Sequence, residues 1–393
     1  MTSYIHELPE WPKFRWDSAA LVQPLARVRL RQGRLLGQME TLGFSQRQEA
    51  ELKARTEDVV KSSEIEGEIL KADQVRSSIA RRLGMDVAAV HPIDRRVEGV
   101  VEMTLEATRN YADPLGSKRL FGWHRALFHK ATGMKVGSWR DDAKGPMQVV
   151  SGRQKVHYEA PAAGRLDGEM EAFFEGVNRG GDLDTLLKAG LAHLWFVTLH
   201  PFEDGNGRIA RAIADWALAR SENSARRYYS MSAQIRRERQ DYYEALERTQ
   251  KGTLDITAWL GWFLGCLDRA LVETESSLAV VLKKDRFWMQ HGQGVGNARQ
   301  RKVLNLLLSG EFEGKLTTSK WAKLTRCSQD TATRDIQGLI EGGILAKDRA
   351  GGRSTHYSLN PEAFEKPDAG GQAGPLKEGY PSRPALLQDS STS

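Results

Sequence analysis

The chain is poor in cysteine, with only Cys266 and Cys327 among 393 residues. Two cysteines so far apart exclude a disulfide framework and a cysteine-rich metal site, and they favour a reducing compartment. No apolar run approaches the roughly 20 residues that span a bilayer, and the first residues lack the basic stretch and apolar core of a secretion signal. We therefore expect a cytoplasmic protein with no membrane partner.

The chain also lacks a strong excess of one charge. Its 57 Lys and Arg outnumber 51 Asp and Glu, which gives a net charge of +6 at pH 7. So small a bias suits nucleotide phosphates or nucleic acid without requiring either. Hydrophobic residues make up 40% and charged residues 27% of the sequence. This balance is typical of a folded chain, and the length predicts two or three domains at about 150 residues each.

Helical spacing of apolar residues dominates the sequence, so we predict a mainly α protein. A small helical domain is expected over residues 1–110, and a largely helical core over 111–270. A linker over 271–298 leads to a last domain over 299–360. Residues 361–393 are rich in Gly, Pro and Ser, and their low apolar content predicts a disordered tail.

One short segment of the core has β-strand character instead. Two β-prone runs, Gln148–Val150 and Lys155–Tyr158, lie between Pro146 and Pro161 and flank a Ser-Gly turn. This pattern predicts one β-hairpin on an otherwise helical domain. The first strand and the turn of this predicted hairpin comprise Gln148, Val149, Val150, Ser151 and Gly152.

The run LHPFEDGNGRIARAIADWALAR carries most of the chemistry. It places His200 after an apolar helix, then a Gly-Asn-Gly turn, then a second helix. Gly205 and Gly207 let the backbone approach a ligand closely, and the free amides at the start of the second helix favour an anion. Arg208 and Arg211 lie on one face of its first turns, where they oppose the helix dipole unless an anion compensates them. The pattern indicates a polyphosphate site.

Two further side chains complete that chemistry. Asp204 offers one hard oxygen ligand beside the phosphates, as expected for Mg²⁺ that takes its other ligands from nucleotide and water. His200, with an ordinary pKa near ~6.5, is suited to accept a proton from an attacking hydroxyl. We therefore interpret His200 as a general base.

The segment HPFEDGNGRIAR resembles the full Fic signature, His-x-Phe-x-(Asp/Glu)-Gly-Asn-Gly-Arg-x-x-Arg. The resemblance implies an enzyme that transfers AMP from ATP to a hydroxyl of a protein, with a helical core and a hairpin flap that pairs with the target segment. It implies these roles: His200 as base, Asp204 as Mg²⁺ ligand, Gly205 to Gly207 as anion hole, Asn206 at the α-phosphate, Arg208 and Arg211 on the outer phosphates, and Phe202 as core anchor.

Two aspects of the resemblance leave alternatives open. The related Doc branch, which transfers phosphate, has Lys in place of the second turn glycine, so Gly207 favours AMP transfer over phosphorylation. Branches that transfer UMP or phosphocholine share the signature and are not excluded. Tyr242 and Tyr243 lie where the family often contacts adenine, but two aromatic residues in a helix are also typical of a core.

An inhibitory motif precedes the core. In KSSEIEGEIL, Ser62, Glu66 and Gly67 resemble the (Ser/Thr)-x-x-x-Glu-(Gly/Asn) motif of self-inhibited Fic proteins. The resemblance implies that Glu66 pairs with Arg211 and takes the place of the γ-phosphate. The alternative is a solvated glutamate on an acidic helix.

Residues 299–360 resemble a winged helix-turn-helix, with three helices and two strands around a Gly-Gly turn. That fold implies DNA contacts from Thr331, Thr333, Arg334 and Arg353. Many winged helices instead mediate protein contacts. Because Asp330 and Asp335 weaken this helix as a DNA reader, a protein contact, including a homodimer, is favoured over DNA binding. The rival function for the whole chain is a DNA-binding regulator whose Fic core senses a nucleotide.

Overall fold

The structure is a computed structural model, and it describes residues 4–85, 93–129, 131–151, 155–179, 181, 183–292, 295–310, 312–348 and 355–364. Two residues of the predicted sites, Gly152 and Arg353, lie outside these ranges. The chain divides into two compact units, Met1–Leu278 and Ala279–Ser393. Helices dominate the described residues, which confirms the mainly α prediction. None of the described helices is long and apolar enough to cross a membrane.

The first unit holds the signature and most of the helices. Its elements are α1 (Ser18–Glu40), α2 (Phe44–Ile65), α3 (Ala72–Arg82), α4 (Arg95–Arg109), α5 (Ser117–Leu127), β1 (Gln148–Ser151), β2 (Lys155–Glu159), α6 (Leu166–Asn178), α7 (Thr185–Leu199), α8 (Asn206–Glu222), α9 (Met231–Arg237), α10 (Arg239–Gln250) and most of α11 (Thr257–His291), whose residues 279–291 belong to the second unit. The residues assigned to a separate N-terminal domain thus belong to the same compact unit as the signature.

Helices α7 and α8 form the centre of this unit. Almost every residue of α7 is buried, from Leu186 to Leu199, which explains its continuous apolar sequence. Helix α8 buries apolar residues such as Ile213 and Trp216, together with the polar residues Arg208 and Arg211. Buried charged groups are costly unless they are paired, so the arginines of α8 need partners.

Helix α2 brings the predicted inhibitory motif to the start of α8. It ends at Ile65, and Gly67 follows with φ of 84°. The backbone N–H of Glu68 then donates back to the carbonyl of Ser63 at 3.0 Å, which closes the helix terminus. This left-handed turn is natural only for glycine and directs the chain after α2 across α8.

The predicted hairpin is confirmed. Strands β1 and β2 pair antiparallel, with Gln148 opposite Glu159 and Ser151 opposite Lys155, and the register shifts between Val149 and Val150. The bulge increases the local twist of the two strands.

In its described residues, the second unit contains the end of α11, three further α-helices and a two-stranded antiparallel sheet. Its elements are α12 (Ala298–Ser309), α13 (Thr318–Thr325), α14 (Gln329–Glu341), β3 (Leu345–Lys347) and β4 (Tyr357–Leu359). Trp321, Val303, Leu304 and Ile336 are at the centre of its core. The order of elements is the predicted one, while the winged-helix assignment itself stays a prediction.

Three parts of the sequence prediction differ from the structure. Helix α3 was not predicted, because its apolar positions Val75 and Ile79 are few among arginines and serines. Residues 271–291 were assigned to a linker, but they continue helix α11. The predicted tail starts too early, since Pro361–Phe364 forms a short 3-10 helix with Ala363 buried in the core of the second unit.

Candidate active site

His200 is the residue that ends α7, and its backbone is left-handed, with φ of 48° and ψ of 54°. Non-glycine residues rarely adopt this conformation, and it occurs where a structure needs a particular side-chain direction. The ring nitrogen Nδ1 lies 3.2 Å from the carbonyl oxygen of Val197. Because Nδ1 must carry the proton to donate there, Nε2 remains available as the basic nitrogen.

The surroundings of His200 keep the imidazole neutral. Burial lowers its pKa below the usual 6.5, the hydrogen bond to Val197 raises it, and the positive charge of Arg140 lowers it further. The net direction is downward. A neutral imidazole at pH 7 is the form that can accept a proton.

The loop between His200 and α8 is braced by Asn206. The Asn206 side chain accepts from the backbone N–H of Phe202 at 3.0 Å and donates to the Phe202 carbonyl at 2.8 Å. Phe202 itself is fully buried. The family resemblance implied a contact of Asn206 with the α-phosphate, and this stays a prediction. In the structure, the oxygen and one N–H of the side-chain amide are engaged on the loop, and the backbone N–H of Asn206 lies at the start of α8, where amides can bind an anion.

Glycine is needed at both ends of the Gly-Asn-Gly turn. Gly205 has φ of 81°, and a Cβ there would lie 2.7 Å from the ring of Phe128. A Cβ on Gly207 would lie 2.1 Å from Oε1 of Glu66. The carboxylate of Glu66 therefore rests directly against the backbone at the start of α8, where the helix dipole and the free amides attract an anion.

Glu66 and Ser62 together hold Arg211. One guanidinium nitrogen of Arg211 lies 2.8 Å from Oε1 of Glu66. Its Nε donates to the Ser62 hydroxyl at 2.9 Å and its other terminal nitrogen donates to the Ser62 carbonyl at 2.8 Å. Burial lowers the pKa of Arg211 and the Glu66 carboxylate raises it, with a net rise. Ser62, Glu66 and Arg211, identified separately from the sequence, are thus brought together.

Arg208 is held in a similar way by a residue that the sequence reasoning missed. Its guanidinium donates to Glu68 at 2.7 Å and lies over the ring of Phe128 at 5.0 Å. The Arg208 side chain is 8% exposed, so the pair is largely shielded from water. The available signal was an acidic residue two positions after Glu66, immediately beyond the turn at Gly67.

A cavity of about 730 Å³ opens in front of His200 and the Gly-Asn-Gly turn. Its walls come from the inhibitory motif, the hairpin, the signature loop and α10. Among the lining residues are Glu66, Gln148, Val149, Val150, His157, His200, Asp204, Gly205, Asn206, Gly207, Arg239, Tyr242, Tyr243, Glu244 and Glu247. The volume and the mixed lining are those of a small-molecule site.

The two tyrosines of α10 have different environments. Tyr242 is buried, and its hydroxyl is 2.9 Å from Nε2 of His193. Tyr243 is 38% exposed and lies against the guanidinium of Arg239, which is 5.3 Å from the ring centre. Both line the cavity, but Tyr243 has the greater area available for a stacked base.

Asp204 is the candidate metal ligand. Its side chain is 63% exposed and borders the cavity, while Oδ1 also accepts from the N–H of Gly205 at 2.5 Å. No group of three or more His, Cys, Asp or Glu side chains that could hold a metal exists among the described residues. One exposed carboxylate still fits Mg²⁺ that takes its remaining ligands from phosphates and water.

Two domain families match this chain. Residues 114–218 match the Fic/DOC family, and residues 4–85 match a domain of unknown function, DUF4172. The chain carries a Fic domain. Its hairpin, signature loop and helix α8 as far as Leu218 lie within the Fic match, whereas Glu66 and Glu68 lie within the other.

Relatives with assigned names are distant from this Fic protein. Proteins named protein adenylyltransferase Fic from Aedes aegypti and Culex quinquefasciatus are each 25% identical over 226 residues. The aligned region covers 56% of this chain and 42% of either relative, so the chain spans less than half their length. A crystal structure of a Fic family protein from Desulfovibrio desulfuricans has a TM-score of 0.53 and 21% identity, covers 88% of this chain and 98% of the other, and shows a shared fold.

The residues predicted to contact DNA belong to the second unit of the Fic protein. Ser328 caps α14 by accepting from the N–H of Thr331 at 3.2 Å, and the Thr333 hydroxyl donates to the Gln329 carbonyl at 2.9 Å. Arg334 is exposed. Asp335, which weakened the DNA prediction, turns inward to Arg299 at 2.7 Å and is 6% exposed.

Proposed function

We propose that the protein is an adenylyltransferase that transfers AMP from ATP to a Ser, Thr or Tyr hydroxyl of a target protein, including its own. The observation that carries the proposal is the meeting of three features at one cavity. His200 presents a free Nε2 there, the N-terminus of α8 offers an anion site, and Arg208 and Arg211 flank that site.

The reaction follows from this geometry. The acceptor oxygen attacks the α-phosphorus, the bond to the oxygen bridging to the β-phosphate breaks, and pyrophosphate leaves. Nε2 of His200 takes the proton of the acceptor hydroxyl. The backbone amides from Gly205 to Gly207 stabilise the charge that develops on the phosphate oxygens.

The hairpin supplies the docking surface for the target. Strand β1 lines the cavity through Gln148, Val149 and Val150, and Ser151 ends it. An extended target segment would pair with the free edge of the hairpin and present its hydroxyl towards His200. Main-chain pairing reads little sequence, so target choice depends on contacts beyond the hairpin.

Asp204 would hold Mg²⁺ with the help of the ATP phosphates. Asp204 would supply one ligand oxygen, and Mg²⁺ held there would neutralise part of the phosphate charge. Tyr243 would stack on the adenine at the α10 side of the cavity, and the buried Tyr242 would pack against the ring of Tyr243.

The protein inhibits itself through its own acidic residues. Glu66 lies against Gly207 and neutralises Arg211, so a γ-phosphate loses its cation and meets a like charge. Glu68 has the same relation to Arg208. Both signature arginines are thus engaged by residues that follow α2.

ATP labelled at the α- or the γ-phosphorus tests the reaction in separate incubations. Label on protein from the α form alone supports AMP transfer, and label from the γ form alone means phosphorylation. The assay uses the protein as it is and a Glu66→Gly variant. If neither form labels any protein even in that variant, the proposed function is wrong.

A second candidate function belongs to the second unit. The inward turn of Asp335 removes one negative charge from the exposed side of α14 and leaves Arg334 beside Thr331 and Thr333. That surface suits a DNA duplex better than the sequence alone suggested. A fluorescence titration with duplex DNA at several salt concentrations tests it, because phosphate contacts weaken as salt rises.

A further inference from the structure

Arg140 is the most enclosed charged side chain near His200. It lies between α5 and the hairpin, and its side chain is 0% exposed. The sequence reasoning gave it no role. A fully buried guanidinium is expensive unless its donors are satisfied, so its partners show what it holds in place.

The partners of Arg140 belong to two different parts of the site. Its Nε donates to the carbonyl of His200 at 2.8 Å, and its backbone N–H donates to the carbonyl of Pro201 at 2.9 Å. A terminal nitrogen donates to the carbonyl of Pro161, just beyond β2, at 2.5 Å. The other pairs with Asp142 at 2.8 Å. One guanidinium thus joins the backbone of the base to the end of the hairpin.

Asp142 extends the same connection. Its second oxygen accepts from the N–H of Ala163 at 2.6 Å. On β2, the Tyr158 hydroxyl donates to the Thr198 carbonyl at 2.8 Å, which ties the hairpin to α7 two residues before His200. These hydrogen bonds therefore connect the hairpin directly to the segment that carries His200.

We propose that Arg140 is a positioning residue. It fixes the position of His200 relative to the hairpin, so that a hydroxyl docked on the hairpin reaches Nε2 of His200. The proposal rests on the proposed AMP transfer and adds a residue to it. The left-handed backbone of His200 ends α7, and Arg140 Nε binds the carbonyl of this terminal residue, which has no partner within the helix.

Arg140 also acts on His200 through its charge. Its guanidinium lowers the pKa of His200, in the same direction as burial, while Glu66 and Asp204 raise it. Other titratable or charged groups at the cavity are Glu203 in the loop, Arg239, Glu244 and Glu247 on α10, and His157 on β2. Removing the charge of Arg140 should therefore raise the pKa of His200, and removing that of Asp142 should lower it.

The test uses Glu66→Gly protein as parent and adds Arg140→Lys, Arg140→Gln or Asp142→Asn. Arg140→Lys keeps the positive charge but loses the planar guanidinium that donates to several partners at once. We therefore expect kcat to fall by about a hundredfold, as for a misplacement of the catalytic base by roughly 1 Å, with KM for ATP unchanged. Arg140→Gln should lose kcat similarly and move the acidic limb of the kcat/KM profile to higher pH. Asp142→Asn should move that limb to lower pH. Because this variant keeps the buried guanidinium of Arg140, it still tests the proposal if Arg140→Gln does not fold.

Arg119→Gln is the matched control. Arg119 also donates to backbone carbonyls, those of Asp113 at 2.8 Å, Asn110 at 2.9 Å and Glu106 at 3.4 Å. It pairs with the Glu106 carboxylate at 3.1 Å, and none of these partners belongs to His200 or the hairpin. It should lower the melting temperature without moving the pH profile. Loss of kcat equal to that of Arg140→Gln would make Arg140 a general stabilising residue and overturn the proposal.

Imidazole NMR separates this proposal from the reaction itself. If the parent transfers no AMP, the proposed function fails, yet the titration of His200 still decides the role of Arg140. We expect a higher His200 pKa and loss of the Nδ1-protonated preference in Arg140→Gln, with both retained in Arg119→Gln. A His200 that titrates in Arg140→Gln as in the parent overturns the proposal.

Discussion

Replacing Glu66 by glycine should release the active site. The change removes the carboxylate that lies against Gly207 and pairs with Arg211 at 2.8 Å. Phosphate oxygens can then occupy the N-terminus of α8 and reach the freed guanidinium nitrogen. AMP transfer, including transfer to the protein itself, should rise.

The size of the increase follows from the burial of the pair. The Arg211 side chain is 3% exposed and the Glu66 side chain 31%, so water screens the pair incompletely. At an effective dielectric constant near ~20 and a charge separation of roughly 4 Å, the attraction is about 4 kcal/mol. Desolvation offsets part of it. A net value of about 1.4 to 4 kcal/mol corresponds to roughly a ten- to thousandfold gain in rate.

The assay measures initial rates of label transfer from α-labelled ATP, together with the Kd for ATP. Glu64→Gln is the matched control, because Glu64 lies two residues before Glu66, in the last turn of α2, and pairs with Lys61 and Arg236 instead of a signature arginine. It should leave the rate within about twofold, as is usual for an exposed pair.

A double variant tests the pairing itself. Arg211→Ala removes the partner of both Glu66 and the phosphate, so Glu66→Gly with Arg211→Ala should be about as poor as Arg211→Ala alone. A double variant that keeps the full gain, or a Glu66→Gly protein no faster than the Glu64→Gln control, would refute the inhibitory role of Glu66.

Three further results are expected. His200→Ala should abolish transfer and leave the Kd for ATP nearly unchanged, since a general base acts mainly in the transition state; full turnover in this variant excludes His200. Because burial lowers the pKa of His200, transfer by Glu66→Gly protein should persist below pH 6.5 and be lost only as the pH falls through that lowered pKa, as a kcat/KM profile can show. Arg334→Ala with Arg353→Ala should weaken DNA binding and reduce its salt dependence, and unchanged binding argues for a protein partner.

The sequence was sufficient for the parts of the site that follow one another along the chain. His200, Asp204, Gly205 and Gly207 are set by local backbone rules, in which a helix ends, a turn requires glycine and a second helix begins. The hairpin followed equally from its two β-prone runs, the Ser-Gly turn between them and the flanking prolines. The pairing of Glu66 with Arg211 was available only through the family resemblance, because 144 residues separate the two in the chain.

Contacts made by the backbone could not be predicted in this way. Arg140 matters because of three carbonyl groups, and every residue has a carbonyl, so no residue type marks the site. The use of the Asn206 amide on Phe202 is hidden for the same reason. Glu68 was visible as an acidic residue, but the direction of its side chain depends on the left-handed turn at Gly67.

The two hydrogen bonds from Arg211 to Ser62 have a consequence for the entropy of ATP binding. Only one nitrogen of the guanidinium faces Glu66, while Nε and the other terminal nitrogen are fixed by Ser62. When the Glu66 carboxylate moves away, the two hydrogen bonds to Ser62 still hold the Arg211 side chain in the rotamer that can bind a phosphate. An arginine that is ordered on binding costs about 0.5–1.5 kcal/mol of side-chain entropy, and here that loss has already occurred during folding. The inhibitory motif that blocks the phosphate site through Glu66 therefore also keeps Arg211 preorganised through Ser62.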